Sequence, residues 1–404
     1  MYNTEIGKFC AEHTNWEELL QAEPYCLKIK KDGDYVIFNY DQISSDFNTK
    51  IVQEARGIIF RTGEWENPVC WAFNKFGNYG ESYVPDIDWS TAFVTEKVDG
   101  SLMKVWYDSK GDWCGWHIST NGTIDAFKAP LSDIKVKNFG DYFLMALNSY
   151  TPPYRFRDCF TEFLHDLDED YTYMFELVGP YNRVVIPYAE PALYFLGARN
   201  KYTGEERFCI GSEMKSLGVS DTFNRPAQYP LTSLEDCINV TEKFDWDQEG
   251  FVVADANFNR VKVKSPAYVL AHFMRNNNVV TRKHIIKIIL MNEVEEFICY
   301  ASEYKDELTK IQWLMNAYHN IGNRLAEACR QLVGKLDRGD YARMVKTLPA
   351  IFHGLLFYNY DRIITAEEYT KDWNENKWDT YIEAVEKLGQ EVLAENGELC
   401  KGFY

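Results

Sequence analysis

The stretch Glu96-Lys97-Val98-Asp99-Gly100-Ser101-Leu102 sits inside an apolar-rich run from Phe93 to Trp106, and its reading decides how the 404-residue chain is understood. The run predicts a strand interrupted by one glycine. Side chains alternate along a strand, so Lys97 and Asp99 are expected on one face, with Val98 on the other and Gly100 letting the backbone approach a ligand. That face suits a nucleotide. By itself a Lys-x-Asp-Gly string is a weak signal, and a solvated lysine at a strand edge is the ordinary alternative. The sharper reading carries specific chemistry: a lysine amine attacks only when neutral, and at a free pKa of ~10.4 it must be made so by burial or nearby cations. Attack on the α-phosphorus of a nucleoside triphosphate then gives a lysyl phosphoramidate and releases pyrophosphate.

Further along, Phe175-Glu176-Leu177-Val178-Gly179-Pro180 follows an aromatic-rich strand signal, and Glu249-Gly250-Phe251-Val252-Val253-Ala254 sets a second glutamate before another apolar strand. In Val261-Lys262-Val263-Lys264-Ser265 the alternation puts both amines on one face and both valines on the other, as a half-buried strand requires. The order Lys-x-Asp-Gly, Glu, Glu-Gly, Lys-x-Lys resembles the motif series of the covalent nucleotidyltransferases, the superfamily of ATP-dependent ligases and capping enzymes. Within it the chain is similar to the phage-type ATP-dependent RNA ligase 1 family. Ile37-Phe38-Asn39-Tyr40, Ala55-Arg56-Gly57-Ile58-Ile59-Phe60, Phe73-Asn74-Lys75-Phe76 and Pro180-Tyr181-Asn182-Arg183-Val184-Val185 extend the likeness, which is dense from about Tyr35 to His272.

The resemblance implies roles. Lys97 would be the adenylylated nucleophile, with Tyr40, Arg56, Lys75, Asp99 and Gly100 helping to hold ATP. Glu176 would bind the ribose or orient the site, Glu249 would place a metal or the reacting phosphate, and Lys262 and Lys264 would contact the phosphates. Two lysines suit a triphosphate whose transition-state charge must be neutralised by preorganised cations. The divalent ion is expected to be Mg²⁺ or Mn²⁺, which keeps most of its waters and is held through phosphate and one or two carboxylates; Glu249 and Glu295 are the candidate ligands, with Asp99 a further one. The implied reaction seals RNA in three steps: AMP passes from ATP to Lys97, then to an RNA 5′-phosphate, and leaves when a 3′-hydroxyl attacks. RNA ends, including a nicked tRNA anticodon loop, are the implied partners of an enzyme expected to act as a monomer. A DNA ligase or GTP-dependent capping enzyme on the same core, and a non-catalytic RNA-end-binding protein, are the alternatives. In one place the chain departs from the pattern: after the nucleophile strand the family carries a Ser-Lys-Gly-Ser or Thr-Arg-Gly-Ser turn, whereas this chain has Ser119-Thr120-Asn121-Gly122-Thr123. Asn-Gly is also a plain hairpin signal, and Lys104 and His117 are the nearby bases that bear on the lost charge.

The fold class expected is an α+β nucleotidyltransferase domain of the ATP-grasp-like ligase adenylation type with antiparallel sheets, followed by an all-α C-terminal domain. Length and 46% hydrophobic content suffice for two domains, placed at residues 1–272 and 273–404, the second expected to choose the RNA. Helices are expected near Asn15 to Ala22 and Asp141 to Leu147. After Ser265-Pro266 the pattern turns helical: Leu308, Ile311, Met315, Tyr318, Leu325, Cys329, Leu332 and Leu336 predict one long amphipathic helix weakened at Gly322. Further helical runs are expected at Ile285 to Ala301, Tyr341 to Leu348, Ala366 to Trp373 and Trp378 to Ala394, with Trp313, Trp373 and Trp378 in their core and Arg338-Gly339-Asp340 as a helix-ending turn. This separates the chain from DNA ligases and capping enzymes, which append a small β-barrel.

No apolar stretch approaches the ~20 residues of a membrane span and Met1-Tyr2-Asn3-Thr4-Glu5 does not resemble a signal peptide, so a cytoplasmic location is expected. Ten scattered cysteines without a Cys-x-x-Cys pair argue against a zinc site or disulfide framework. A net charge of −18 runs against a nucleic-acid partner, but local fields and not the total decide where a polyanion docks. Lys262, Lys264, Arg275, Arg282 and Lys283 are the local basic run that could serve.

Overall fold

The computed structural model describes all residues except 1, 43, 112–113, 132–134, 150–162, 210–216, 220–222, 275–279, 295–296, 299–300, 302–303 and 388–404. The chain divides into two compact units, Met1–His272 and Phe273–Tyr404. In the first, the strands in chain order are β1 (Lys28–Asp32), β2 (Tyr35–Asn39), β3 (Arg56–Arg61), β4 (Gly77–Asn78), β5 (Phe93–Glu96), β6 (Ser101–Asp108) and β7 (Gly115–Thr120). After them come β8 (Tyr171–Val178), β9 (Ala192–Asn200), β10 (Glu206–Phe208), β11 (Gln228–Tyr229), β12 (Gly250–Ala254) and β13 (Arg260–Lys264). They form three sheets, ordered β1-β2-β3, β10-β9-β8-β6-β7 and β11-β5-β12-β13-β4. All pairings within them are antiparallel, as expected, save the short parallel pairing of β13 with β4.

The expected strand from Phe93 to Trp106 is in fact two strands in two sheets. β5 ends at Glu96, residues 97–100 cross over, and β6 opens at Ser101 in the neighbouring sheet. On β6, Met103 and Val105 face a core built with Tyr173, Phe175, Leu177, Leu193 and Phe195 and closed by helix Phe139–Asn148. The opposite face carries Trp106, packed with Tyr35, Ile37 and Ile59 of the three-stranded sheet. The third sheet buries Val94, Phe251, Val253, Val261 and Val263 around Cys237 of helix Leu234–Thr241. The three-stranded sheet is buried on both faces, with Val36, Phe38, Ile58 and Phe60 in one core and Tyr35, Ile37 and Ile59 in another, whereas β13 alternates buried valines with partly exposed lysines.

The described part of the second unit is helical. Its longest helix is Lys305–Arg330, which runs unbroken through Gly322 and stops before Leu332 and Leu336, so the periodic run outlasts the helix. Gly322 is there for contact: a β-carbon at this position would lie 2.9 Å from Leu355 Cδ2 and 3.2 Å from the Ala366 Cβ, atoms of helices Ala350–Tyr358 and Ala366–Thr370. Trp373 and Trp378 are buried with Tyr318, whereas Trp313 is only half-buried. Arg338-Gly339-Asp340 opens helix Arg338–Val345 instead of ending one, because the Asp337 side chain caps it by accepting from the Asp340 N–H at 2.8 Å. Helix Arg282–Leu290 stops well short of Ala301, and helix Glu375–Lys387 covers the described part of the last expected run. The seven described cysteines are free thiols. Among the described residues no helix is long and apolar enough to cross a membrane. Filling the Gly322 contact should be costly: Gly322→Leu is expected to lose about 2 kcal/mol, read as a lower urea midpoint, and an unchanged midpoint would show that these helices are not closely packed.

Candidate active site

Where the chain passes from β5 to β6, the backbone N–H of Lys97 donates to the Gly250 carbonyl at 2.8 Å, and the Ser265 N–H donates to the Glu249 carbonyl at 2.8 Å. These bonds extend the ladder in which Phe251 pairs with Glu96 and Gly250 with Lys264. The result is that Lys97, Glu249 and Lys264 end up side by side. Gly250 is needed for it: at φ +133° a β-carbon would stand 2.2 Å from the Val263 carbonyl oxygen. Lys97 Nζ lies 2.6 Å from Glu249 Oε1, with the lysine side chain 22% exposed and the glutamate 4%.

Lys97, but not the Glu249 paired to it, lines a cavity of about 360 Å³. Tyr40, Arg56, Gly100, Glu176, Lys262 and Lys264 line it, together with an apolar wall that includes Phe73, Phe76, Leu102 and Leu196. On β13 the valines go into the core and Lys262 and Lys264 into the cavity. Phe76 is contacted by two cations, with the Arg56 guanidinium 5.0 Å and Lys262 Nζ 5.3 Å from its ring. The cavity is of the size and mixed apolar and charged character of a small-molecule site.

Besides Glu249, the expected residues Asp99 and Lys75 are outside the lining. Asp99 does not share a face with Lys97, because residues 97–100 are not a strand and alternation does not apply to them. Its carboxylate is buried, accepting from the Val185 and Ile186 N–H groups at 2.9 and 2.7 Å through Oδ2 and from the Tyr268 hydroxyl at 2.9 Å through Oδ1. It anchors the crossover and is outside the cavity lining. Lys75 is likewise absent from the lining, its Nζ sitting 5.1 and 5.0 Å from the rings of Tyr40 and Phe47. Gly100 does line the cavity, but what approaches it closely is protein: a β-carbon would lie 2.5 Å from the Leu177 carbonyl oxygen. Glu295 and Arg275 lie outside the described residues. Arg282 is engaged within the second unit by Asp379 at 2.6 Å and Glu386 at 3.3 Å, and Lys283 by Asn376 at 3.0 Å. The basic run is thus divided between the two units.

One cation was missed. Arg260 lines the cavity at the head of β13, its guanidinium 4.2 Å from the Phe73 ring and its Nη2 2.6 Å from Glu206 Oε2. The signal was present, since Arg260 shares the alternate face of Lys262 and Lys264. Among the described residues no cluster of three His, Cys, Asp or Glu forms a metal cage. Glu249 Oε2, buried and without a hydrogen-bond partner, fits a divalent ion that arrives on substrate phosphate and takes one carboxylate from the protein.

The electrostatics follow from enclosure. Burial lifts the Glu176 carboxyl to about 7 against the pull of Lys97, and Glu249 adds to the rise. Burial also raises Glu249, opposed by Lys97 and Lys264, and lowers Arg56. A site holding this many charges in one enclosed place is poised for a charged ligand.

The chain belongs to the phage-type RNA ligase 1 family: residues 54–268, just over half of it, match the family model described as RNA ligase. A relative named "Putative bifunctional polynucleotide kinase/RNA ligase", from Autographa californica nuclear polyhedrosis virus, is 27% identical over 314 residues. That match takes in 74% of this chain and 42% of the viral protein, so the chain spans less than half the length of that relative. An RNA ligase of Rhodothermus phage RM378 is 24% identical over 378 residues, covering 79% of this chain and 82% of the phage protein. Among solved structures, an archaeal ATP-dependent RNA ligase, form 1, aligns at 13% identity over 64% of this chain and 63% of its own, with a TM-score of 0.40.

The raised Glu176 carboxyl makes stability pH-dependent with a definite sign. The native group holds its proton more tightly than the unfolded one, at about 7 against 4.5. Its contribution is therefore fully present below the unfolded value and is lost as pH rises through about 7. Urea unfolding of the wild type should show about 2 kcal/mol less stability at pH 8 than at pH 5 from this group, and Glu176→Gln should flatten that difference. An identical pH profile in the variant would contradict the enclosure of Glu176.

Proposed function

We propose that the protein is an ATP-dependent RNA ligase whose first unit transfers AMP through Lys97 and whose helical unit contributes to the choice of RNA. The observation that carries this reading is the Lys97–Glu249 pair, 2.6 Å apart at the wall of a cavity lined by Lys262 and Lys264. Membership of the RNA ligase family supports it.

In this mechanism the triphosphate enters with its charge facing Lys262, Lys264 and Arg260, and its nucleoside portion lies against the apolar wall with Tyr40 and Arg56 near it. Glu249 holds Lys97 in place in the resting site. Nucleotide phosphate beside the lysines competes with Glu249 for the Lys97 ammonium; its proton passes to solvent water, which reaches the partly exposed lysine, and the freed amine attacks the α-phosphorus, with pyrophosphate leaving past the same cations. A bond forms between Nζ and phosphorus and one breaks between phosphorus and the bridging oxygen. A divalent ion, Mg²⁺ or Mn²⁺, neutralises phosphate charge when bound, and Glu249 is the residue here that would hold it. AMP then passes to an RNA 5′-phosphate, and attack by a 3′-hydroxyl expels it; in both steps the protein supplies alignment and charge. A nicked tRNA anticodon loop, a monomeric state and a cytoplasmic setting complete the proposal.

Incubation of the full chain with α-labelled ATP and Mg²⁺ followed by denaturing electrophoresis should label the protein, and Lys97→Ala and Lys97→Arg should not be labelled, since guanidinium stays protonated. Label from GTP alone would move the reading to capping, and label retained in Lys97→Ala would remove Lys97 from the chemistry. Because phosphate contacts release counterions, RNA binding should weaken at least tenfold between about 50 and 200 mM salt. Salt-independent binding would contradict a phosphate-dominated dock.

A further inference from the structure

Asn121 occupies the corner of the cavity where the resemblance leads one to expect a base. It follows β7 and lines the cavity, and its Oδ1 is buried without a hydrogen-bond partner. Strand register sets Leu102 opposite Glu176 and Met103 opposite Thr120, so Asn121 comes directly after the paired end of β7, at the end of the sheet where Leu102 and Glu176 pair. Beside Asn121 stands Gly57, at φ +73°. A β-carbon there would meet the Asn121 carbonyl oxygen at 2.5 Å, Lys104 Nζ at 2.7 Å and Asn121 Oδ1 at 2.9 Å. Lys104 is fully buried and donates to the Gly57 carbonyl. His117 is not part of this corner, being stacked on Trp106 at 4.2 Å.

The corner therefore has basic side chains without Asn121, Lys104 and the adjacent Arg56, although burial pushes both below their ordinary pKa. Beside its amide donors, Asn121 adds a buried acceptor that no group among the described residues satisfies. Phosphate oxygens bound by lysines at neutral pH accept hydrogen bonds and offer none, so a buried acceptor gains nothing from facing a triphosphate. The donors of a nucleotide lie in its nucleoside: the ribose hydroxyls and the exocyclic amine of the base. We propose that Asn121 reads the nucleoside and not the phosphates, its side-chain oxygen accepting a hydrogen bond from one of those donors. The inference rests on the adenylylation reading above and adds a specificity-determining residue to it. Lys104 is a positioning residue in this scheme, holding the Arg56-Gly57 backbone against the asparagine.

The test is pyrophosphate release on lysyl-nucleotide formation by the full chain with ATP, 2′-deoxy-ATP, 3′-deoxy-ATP and inosine triphosphate. Wild type, Asn121→Leu and the milder Asn121→Ser are compared, the latter serving if the leucine variant fails to fold. With ATP, the variants should lose about tenfold in kcat/KM, chiefly through KM. One analogue, the one lacking the donor, should lose about tenfold on the wild type and nothing further on the variants. A deoxy analogue in that position assigns the contact to the ribose, and inosine triphosphate assigns it to the amine. Equal losses for every analogue in wild type and variants would overturn the proposal, as would a matching loss of pyrophosphate affinity in the reverse reaction. No pyrophosphate release from the wild type with any nucleotide would instead sink the adenylylation reading itself.

Discussion

Four residues, Lys97 to Gly100, must carry the chain out of one sheet and into another, and the site depends on how that crossing is held. Lys97 is fixed by its N–H to the Gly250 carbonyl on one side, and Asp99 is fixed by two backbone N–H groups and a tyrosine hydroxyl on the other. Gly100 passes so near the Leu177 carbonyl that a side chain there would collide. A reactive lysine on a freely moving loop would sample many positions at an entropic cost to any reaction. Fastened at both ends, it has few.

The same geometry explains why buried charge is tolerated. Glu249 is almost wholly enclosed and would be costly without the Lys97 ammonium and nearby Lys264. Arg56 and Lys262 both rest against the ring of Phe76. Basic residues are thus gathered around one cavity although the chain as a whole carries −18.

The motif lysines and glutamates were legible because strand period alone sends Lys262 and Lys264 one way and Val261 and Val263 the other, and the same rule extends to Arg260. The crossover was not legible: nothing local distinguishes one interrupted strand from two strands in separate sheets, since that choice is made by distant partners, Phe251 for Glu96 and Leu177 for Ser101. The error carried Asp99 to the wrong face. Local propensity also misread Gly322, whose cost to a helix is outweighed by the approach of two neighbours, and Arg338-Gly339-Asp340, where the deciding residue, Asp337, lies just ahead of the string. Long amphipathic stretches were readable as helix because many residues vote together, but their ends were set by caps and packing.

The bond from Tyr268 to Asp99 places a limit on where this chain can be cut. The last motif finishes at Lys264, and a fragment designed from the motifs alone would stop there. Such a fragment would keep every residue proposed to touch nucleotide and would still leave one Asp99 oxygen without its partner, at the crossover that presents Lys97. The smallest piece retaining the whole support of the lysine must run past Tyr268, into helix Pro266–Met274.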